Sequence, residues 1–435
     1  MSQQSFDVVV IGAGAAGLAA ARRLSAEGLS VAIVEARDRI GGRIYTHHDS
    51  RSPVAIELGA EFVHGKPKEL LDLSAEAGLV LCDGANRHWF LRDGRITADD
   101  SWQKIEDLME RLDDEPRDRT FAEFMSSLDE EETAAIRAQV RRYVQDFHAA
   151  DLNVIGTKGL AFVNKAAEEI DGDNSFRFLG GYERVVEWLL KQATNDGAVI
   201  FLNQVVKEIH WKNGSVMVRT SDSEFKAKRC VVTLPIGVLQ ASDVQFEPAL
   251  PAKFARAISQ LRMGNVVKIN LLFSERFWEK LELPSDRRAK SLWDFSFIHS
   301  FKLPFPTWWT MLPQRTPVLV GWVGGPEADQ ILNRDEDSIV QSALHSLGEI
   351  LNVDESYLRE RLVDSYLHNW QTDPFSLGAY SYLPVGGIEA QAVLSEPIEH
   401  ALFFAGEALS DGYVGTVHGA MMSGYRAAEK ILLLL

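Results

Sequence analysis

The sequence predicts an α/β protein with a discontinuous first domain, and three observations support that fold class. Residues 6–43 run through an apolar strand, a glycine-rich turn, a helix and a second strand. Short segments of β-type residues return between 199 and 234, after a long helical and charged stretch. A further strand and helix occupy 401–435. Because strands that alternate with helices are typical of parallel sheets, the separated segments are expected to build one domain.

The first of these segments carries the pattern of a dinucleotide-binding turn. Its apolar strand, 8–11, ends at Gly12, Gly14 and Gly17 in the spacing G-x-G-x-x-G, and a helix is predicted over 18–27. Gly12 permits the tight turn, Gly14 leaves room for a pyrophosphate, and Gly17 lets the helix pack closely against the strand. The N–H groups and the positive dipole end of that helix then favour a phosphate.

Two charged side chains extend this pattern. Glu35 follows the second strand, 31–34, and stands 18 residues beyond Gly17. Near that spacing a carboxylate accepts hydrogen bonds from ribose hydroxyls, so the sequence favours FAD or NAD over NADP. Arg43, directly after Gly42, brings a guanidinium that can pair with a pyrophosphate through its planar fork.

Composition limits the partners that are expected. The 435 residues carry a net charge of −17, and because a phosphate backbone needs a basic face, no nucleic-acid partner is predicted. Cys82 and Cys230 form no CxxC pair, so the sequence predicts neither a disulfide framework nor a metal site. No basic n-region or membrane-length apolar run is present, which predicts a cytoplasmic protein without a membrane partner. The sequence indicates no oligomeric state.

Periodicity and turn residues predict the other elements. Leucine spacing indicates a helix over 68–77, and Arg92-Asp93-Gly94-Arg95 indicates the turn of a hairpin. A strand is expected over 266–273. Further helices are expected in the charged stretch 102–167 and over 183–193, 335–351, 355–362 and 417–435, the last capped by Thr416.

Two motifs late in the chain add to the glycine-rich turn and to Glu35-Ala36-Arg37. They are Phe404-Ala405-Gly406-Glu407 and Gly415-Thr416-Val417-His418-Gly419-Ala420, the latter followed by Ser423-Gly424. Together these sequences resemble the flavin-containing amine oxidase family, which includes monoamine, polyamine and L-amino acid oxidases. The resemblance extends from end to end and implies FAD, two domains of alternating segments, and amine oxidation with release of hydrogen peroxide.

The fold that the resemblance implies is a discontinuous Rossmann-type FAD-binding domain with a second, α+β substrate-binding domain, whose mixed sheet is flanked by helices. The FAD-binding domain is assigned to 1–80, 176–245 and 396–435, and the substrate-binding domain to 81–175 and 246–395. The implied reaction passes a hydride from the amine α-carbon to flavin N5. The imine then hydrolyses to an aldehyde, and O2 reoxidises the flavin to give H2O2.

The resemblance assigns the first catalytic role to Lys268. In the family, a lysine on this strand holds a water against flavin N5, so Lys268 is expected to assist reoxidation by oxygen. The pattern of the strand points elsewhere when taken alone, since alternation places Lys268 with Asn270 on the face opposite Val267. A lysine in that position is usually solvated.

His64, Tyr380 and Trp370 are the other candidates. His64 is interpreted either as a substrate-facing hydrogen-bonding group or as a wall residue. Tyr380 and Trp370 are expected to form an aromatic wall, which stabilises a cationic amine and orients a neutral one.

The cofactor contacts are predicted from the glycine-rich turn and the motifs of the resemblance. They are Gly12, Gly14, Ala15, Ala16, Gly17, Glu35, Ala36, Arg37, Gly42, Arg43, Gly59, Ala60, Glu61, Val205, Trp370, Gly406, Glu407, Thr416 and Val417. Glu61 is also a candidate anchor for the amine. Glu407 is expected to bond cofactor hydroxyls or phosphate-bound water, or else to act as an ion-pair acid. The helix after Thr416 would stabilise negative charge on the reduced ring.

Departures from the family pattern separate its branches. Residues 57–65 and 370–382 resemble the polyamine and spermine oxidases and their bacterial relatives. L-Amino acid oxidases commonly carry a carboxylate-binding arginine where this chain has Phe62. Mammalian-type monoamine oxidases carry a flavin-bonded cysteine where it has Ala379, so FAD is expected to be non-covalent.

The expected substrate is therefore a primary or secondary amine, with a polyamine as one candidate. Two alternatives stay open. An L-amino acid oxidase would need another arginine, such as Arg87 or Arg177, and an amine dehydrogenase would pass electrons to an acceptor other than oxygen.

Overall fold

Two large β-sheets and a group of helices make up the protein. The computed structural model describes residues 3–97, 101–134, 136–281 and 295–434. Within these ranges the strands, in chain order, are β1 (Gln3–Ile11), β2 (Val31–Val34), β3 (Thr46–His47), β4 (Ile56–Glu57), β5 (Val63–His64), β6 (Leu81–Asp83), β7 (His88–Arg92), β8 (Arg95–Thr97), β9 (Ser175–Phe178), β10 (Val199–Phe201), β11 (Val206–Lys212), β12 (Ser215–Thr220), β13 (Glu224–Val232), β14 (Gln245–Glu247), β15 (Arg262–Gly264), β16 (Val266–Phe273), β17 (Phe297–His299), β18 (Thr307–Thr310), β19 (Val318–Gly324), β20 (Leu362–Leu367), β21 (Tyr380–Tyr382) and β22 (Leu402–Phe404).

Helices flank both sheets. In chain order they are α1 (Ala15–Ser25), α2 (Lys68–Ala77), α3 (Ser101–Glu110), α4 (Phe121–Ser127), α5 (Glu130–Thr133), α6 (Arg137–Phe147), α7 (Thr157–Glu169), α8 (Glu183–Asn195), α9 (Ile236–Ala241), α10 (Ala252–Gln260), α11 (Pro326–Leu332), α12 (Glu336–Leu351), α13 (Glu355–Arg361), α14 (Gly387–Ser395) and α15 (Val417–Leu432). Two short 3₁₀ helices span Phe277–Lys280 and Glu407–Leu409.

The first sheet joins segments from the beginning, middle and end of the chain. Its strand order is β10-β2-β1-β13-β12-β11-β14, and β22 also pairs with β13. β1 runs parallel to both β2 and β13. Residues 8–10 in β1 have no exposed surface, because helices cover one face and a second apolar cluster covers the other. This burial on both faces explains the uninterrupted apolar run in the sequence.

The last helix packs directly on the first. A Cβ at Gly424 in α15 would stand 2.1 Å from the Ala16 carbonyl oxygen in α1, so only glycine permits this approach. The end of the chain thus closes the domain that its beginning opens.

The second sheet has the order β20-β16-β19-β18-β17-β7-β8. One face packs on α11, α12 and α13, and the side chains of Val267, Ile269, Leu271 and Phe273 point into that core. The opposite face carries Leu272, which packs with residues of β4 and β18. Helices α3, α4, α6 and α7 form a further apolar cluster that also includes Tyr382.

The predicted elements are confirmed, with small shifts of their ends. The helix at 68–77 and the strands at 31–34 and 266–273 have the predicted bounds, and the hairpin turns at 93–94. α1 begins earlier than predicted, at Ala15, because the glycine turn leads straight into the helix. α15 ends at Leu432, and Leu435, the predicted end, lies outside the described residues.

The predicted domain ranges can be set beside the two sheets. The strands of the first sheet fall within the ranges assigned to FAD binding, except that β14 crosses the boundary at 245. The strands of the second sheet fall within the ranges assigned to the substrate. The domain boundaries themselves stay a prediction.

Candidate cofactor and amine site

A single cavity of about 650 Å³ extends from the carboxyl ends of β1 and β2 to the polar face of β16. Every residue predicted for cofactor contact or catalysis lines it, except Gly17. Gly17 lies behind the cavity wall, where a Cβ would stand 2.0 Å from the Gly12 carbonyl oxygen. Its contribution is the close helix–strand packing that the sequence predicts. We call the half at the carboxyl ends of β1 and β2 the nucleotide end, and the half at the polar face of β16 the substrate end.

Backbone forms the nucleotide end. Gly14 is the N-cap of α1, and no side chain caps that helix, so its first N–H groups are available to a ligand. A Cβ on Gly14 would have no neighbour nearer than the Gly41 carbonyl oxygen at 3.9 Å, which means that it would project into the cavity. A pyrophosphate fits such a cradle, because uncapped N–H groups and a helix dipole both favour an anion.

Glu35 and Arg37 are fixed by the protein at the edge of this cradle. The Glu35 carboxylate accepts the N–H of Ala13 at 2.7 Å and that of Arg37 at 2.9 Å, which orients it at the cavity wall. The Arg37 guanidinium makes a two-point ion pair with Asp373, at 2.9 and 2.6 Å. Arg37 thereby ties the end of β2 to the chain near Trp370.

Arg43 and Glu407 form a second tie. They pair at 2.9 Å, and Arg43 also donates to the Ala379 carbonyl at 3.0 Å. Glu407 accepts hydrogen bonds from the Ser381 hydroxyl and the Gly415 N–H as well. Glu407 was expected either to bond the cofactor or to act as an ion-pair acid. Its contacts in the structure are those of an ion-pair acid at the cavity wall. Arg43 keeps donor groups besides the one used in this pair.

Lys268 is buried rather than solvated, so the interpretation from strand alternation alone is wrong. Its side chain is 6% exposed, because β16 lies between two neighbouring strands and its polar face is covered. Nζ donates to the Gly59 carbonyl at 2.7 Å and to Glu61 at 3.2 Å. The ammonium therefore stands at the cavity wall beside Gly59 and Glu61, two of the predicted cofactor contacts.

Glu61 is held from the other side. Its second carboxylate oxygen accepts Arg177 Nε at 2.8 Å and Trp309 Nε1 at 2.9 Å. Burial alone would raise the pKa of Glu61, but Lys268 and Arg177 outweigh it and lower that pKa. With three donors of the protein on its carboxylate, Glu61 serves Lys268 in this structure and is not poised as a free anchor for an amine.

Rings line the substrate end. The Tyr380 hydroxyl donates to the Phe147 carbonyl at 2.8 Å, and the Tyr380 ring stacks on Trp322. Trp370 donates its indole N–H to the Leu58 carbonyl at 3.0 Å, which holds it at the edge of the cavity. These bonds satisfy the polar atoms and leave ring faces to a ligand. The predicted aromatic wall is present, and Trp322 extends it.

His64 contributes a neutral imidazole. Its ring packs edge-on against Phe147 and near Phe62, and burial lowers the pKa of His64 to about 4. At neutral pH the ring can donate and accept hydrogen bonds but carries no charge. Both predicted roles, hydrogen bonding to substrate and forming the wall, are compatible with this position.

The sequence did not point to a pair of stacked imidazoles farther along the wall. His88 and His299 lie 2.8 Å apart between ring nitrogens, stacked with Trp102 and Phe297. Burial is the main reason that both have lowered pKa values. Their positions on β7 and β17, paired in parallel, are far apart in sequence, so no local signal marks them.

The arginines at the cavity wall are engaged. Arg37 and Arg43 have the partners given above, and Arg142 pairs with Asp146 and Glu327. Arg177 lies outside the cavity wall and is paired with Glu61, while Arg87 also lies outside it. An L-amino acid oxidase built on Arg87 or Arg177 is therefore not supported by the described residues.

Neither cysteine lines the cavity, and Ala379 occupies the wall where the resemblance would place a flavin-bonded cysteine, so no thiol is positioned there to form a thioether. Among the described residues, no group of three potential ligands is placed to hold a metal ion. Nor does the described part of the chain contain a helix with the length and apolarity to cross a membrane.

Fold and site together define a protein with a dinucleotide-type cradle that continues into a cavity lined by aromatic rings. The comparisons with known proteins narrow this class. The family model described as "Flavin containing amine oxidoreductase" matches residues 15–432. The chain belongs to this family, and FAD is its cofactor.

The names of its relatives denote different activities. Polyamine oxidase 4 of Oryza sativa subsp. japonica is 30% identical over 97% of this chain and 88% of its own length. Lysine-specific histone demethylase 2 of Homo sapiens is 29% identical over 98% of this chain. The chain spans 53% of that protein, and between 30% and 58% of the plant histone demethylases it matches.

Solved structures show the same fold. A putrescine oxidase bound to putrescine superposes with a TM-score of 0.84, covering 99% of this chain and all of that one, at 20% identity. Cyclohexylamine oxidase from Brevibacterium oxydans IH-35A gives a TM-score of 0.82, covering 99% of each chain, at 21% identity. These likenesses confirm the predicted two-domain α/β fold.

Proposed function

We propose that this protein is an amine oxidase that converts a primary or secondary amine and O2 into an imine and H2O2, with the imine hydrolysing to an aldehyde. The observation that carries the proposal is Lys268, a buried ammonium held at 2.7 Å from the Gly59 carbonyl on the wall of a cavity that continues from the nucleotide cradle. Bound FAD supplies the two-electron chemistry, taking hydride from the amine and reducing oxygen.

The nucleotide end binds and orients the cofactor. The uncapped start of α1 would receive the pyrophosphate, and Glu35 at the end of β2 would accept hydrogen bonds from ribose hydroxyls. At the other end of the cofactor, α15 begins with Val417, and Thr416 caps it by accepting the Gly419 N–H at 3.0 Å. The dipole of this helix favours negative charge at its start.

The substrate end selects a neutral amine. Only the neutral form can give up its α-hydrogen as hydride, and a desolvating wall lowers the pKa of a bound amine. Tyr380, Trp322 and the uncharged His64 provide such a wall without a carboxylate-binding arginine. This favours an amine over an amino acid.

Acidic residues at one side of the cavity could bind a second cationic group of the substrate. Asp173 lines the cavity and lies close enough to Glu106 to raise its pKa further, after the effect of burial. Both acids also act on Tyr143, a cavity residue. A cluster of negative charge beside the wall attracts the distal ammonium of a diamine or polyamine.

The deciding experiment is an amine panel with two detectors. Monoamines, diamines, polyamines, L-amino acids and an N-methyl-lysine peptide are each supplied to the purified holoprotein, and peroxide is measured in air. Flavin bleaching is measured anaerobically. Amines should give both signals. Bleaching without peroxide would assign an amine dehydrogenase, and a response to amino acids alone would assign an L-amino acid oxidase.

A separate assay tests the attachment of the cofactor. Acid denaturation followed by removal of the polypeptide should leave all of the yellow flavin in solution. Flavin that stays with the precipitated chain would contradict non-covalent binding.

A further inference from the structure

A smaller cavity, separate from the main one, reaches Glu61, the partner of Lys268. It has a volume of about 320 Å³, and His48, Asp49, Glu57 and Arg177 are among the residues that line it. Glu61 is the one described residue that lines both this side cavity and the main cavity. The side cavity is polar and large enough for several waters.

The two oxygens of Glu61 have different partners. One is fixed by Arg177 and Trp309, at 2.8 and 2.9 Å, and the other faces the Lys268 ammonium at 3.2 Å. Arg177 is itself anchored, since it donates to the Leu312 and Thr310 carbonyls and lies over the Phe62 ring. The carboxylate is thus clamped with one edge turned toward Lys268.

Glu57 is a second buried acid close enough to Lys268 and Glu61 for both to act on its pKa. It lines the side cavity, and burial raises the pKa of Glu57 to about 7, against the pull of Lys268. Its carboxylate is satisfied by the Tyr182 N–H at 2.7 Å and the Thr46 hydroxyl at 2.8 Å. Glu57 therefore resembles Glu61 in burial and in access to the side cavity but makes no hydrogen bond to Lys268.

If the function proposed above holds, the proton balance of the reaction indicates what Lys268, Glu61 and the side cavity do. In R–CH2–NH2 + O2 → R–CH=NH + H2O2 the amine loses two electrons and two protons, and oxygen gains them. One proton leaves within the hydride and the other leaves from nitrogen. Protons must therefore be delivered to oxygen at the cavity wall, where Lys268 places a buried side chain.

We propose that Glu61 is the positioning residue that holds Lys268 as the proton donor to reduced oxygen, and that the side cavity is the path by which protons return to Lys268. In the return step Glu61 takes up a proton from water in the side cavity and passes it to Lys268. This remakes the Lys268 N–H bond that was broken toward oxygen and leaves Glu61 ionised again. The order is physically consistent, because the loss of charge on Lys268 removes the attraction that keeps Glu61 ionised.

The first test compares two buried acids. Glu61→Gln should slow reoxidation of the reduced enzyme by O2 at least about tenfold while amine reduction changes less than about threefold. Glu57→Gln changes a buried acid that also lines the side cavity but makes no hydrogen bond to Lys268, and it should slow reoxidation less than Glu61→Gln does. Stopped-flow absorbance measures each step separately. Equal slowing of both half-reactions in Glu61→Gln, or an equal loss of reoxidation in the two variants, would overturn the proposal.

The second test asks whether Glu61 acts through Lys268. In a Lys268→Met background, Glu61→Gln should cause no further loss of reoxidation, whereas independent effects would multiply. Multiplied losses would overturn the proposal. The conservative variant Glu61→Asp should retain more reoxidation than Glu61→Gln.

The third test does not depend on turnover. In protein labelled with ¹⁵N-lysine, the Nζ signal absent from Lys268→Met identifies Lys268, and its protons should exchange slowly because the ammonium is clamped. In Glu61→Gln exchange should speed up by about tenfold or more, and in Glu57→Gln it should not. If no amine is oxidised, this measurement still decides whether Glu61 holds Lys268. Unchanged exchange in Glu61→Gln would overturn that role.

The side cavity is tested by chemical rescue. Glu61→Ala leaves space that formate can enter from the side cavity, so formate should restore reoxidation several-fold in that variant and leave Glu61→Gln unchanged. A variant that folds and is not rescued would overturn the proton path while leaving the positioning role to the tests above.

Discussion

At the nucleotide end the cavity wall is backbone, whereas at the substrate end it consists of rings and charged side chains. The cradle is made by three glycines and one helix start within six positions of each other. The Lys268 cluster, in contrast, joins β16, β18, β9 and the loop at Gly59. A cofactor common to a family can be held by a local motif, but a substrate wall needs groups that converge from separate elements.

The largest effect is expected from Gly17→Ala, which tests whether the cradle depends on close packing. The new Cβ would stand 2.0 Å from a backbone oxygen that cannot move freely. We expect a loss of about 3 kcal/mol in the free energy of unfolding and a protein that purifies without flavin.

Gly14→Ala is the matched control for that change. Its Cβ projects into open cavity space, so the free energy of unfolding should change by only about 1 kcal/mol while FAD binding weakens at least tenfold. Urea unfolding and flavin fluorescence measure the two effects. Equal unfolding losses in both variants would contradict the distinction between packing and ligand space.

Asp373→Asn tests the tie between the two ends. Its carboxylate receives Arg37, His368 at 2.8 Å and the Phe375 N–H at 2.9 Å. Breaking one partner of this buried pair should cost about 3 kcal/mol in urea unfolding. The exposed pair Lys253–Glu396 gives the control, since Lys253→Met should cost less than about 1 kcal/mol.

The same variant has an expected pH signature. Burial alone would raise the pKa of Asp373, but His368 and Arg37 hold that pKa well below its usual range. The stabilisation is therefore present above about pH 4, the ordinary pKa of an aspartate, and is lost as the pH falls further. Asp373→Asn should lack this part of the acid dependence, and an unchanged profile would contradict the assignment.

Lys268→Met tests whether the charged cluster of the substrate end acts on oxygen rather than on amine. Reoxidation by O2 should slow by about a hundredfold, while anaerobic reduction by amine stays within about threefold. Lys253→Met supplies a control, because this lysine pairs with Glu396 at the surface and lies outside the cavity wall, and it should alter neither step. Equal losses in the two half-reactions of Lys268→Met would contradict its assigned role.

The smallest effect concerns the neutral histidines of the cavity wall. Burial lowers the pKa of His148 to about 4, so the unfolded chain binds a proton between about pH 6.5 and pH 4 that the folded protein does not. Stability contributed by the neutral ring is therefore lost as the pH falls through that window. In flavin-free protein, His148→Gln should flatten the pH dependence of unfolding by up to about 1.4 kcal/mol per pH unit, measured by urea titration. An unchanged slope would show that His148 is protonated in the folded state.

By itself the sequence determined the features that depend on residues close together in the chain. The glycine spacing, Glu35 after β2, the strand at Val266–Phe273 and the cap at Thr416 depend on neighbours in the chain, and the structure has each of them. The family resemblance added FAD and the importance of Lys268, which periodicity alone had placed in solvent.

Only the tertiary structure decided how charges are satisfied. A buried charge is costly unless it is paired, so each charged group at the wall needs a partner. Strand pairing and helix packing bring that partner from hundreds of residues away in the sequence. Arg37 thus finds Asp373, Arg43 finds Glu407, and Lys268 finds Glu61, itself clamped by Arg177. A one-dimensional pattern records which residues are charged, but the pairing follows from the three-dimensional path of the chain.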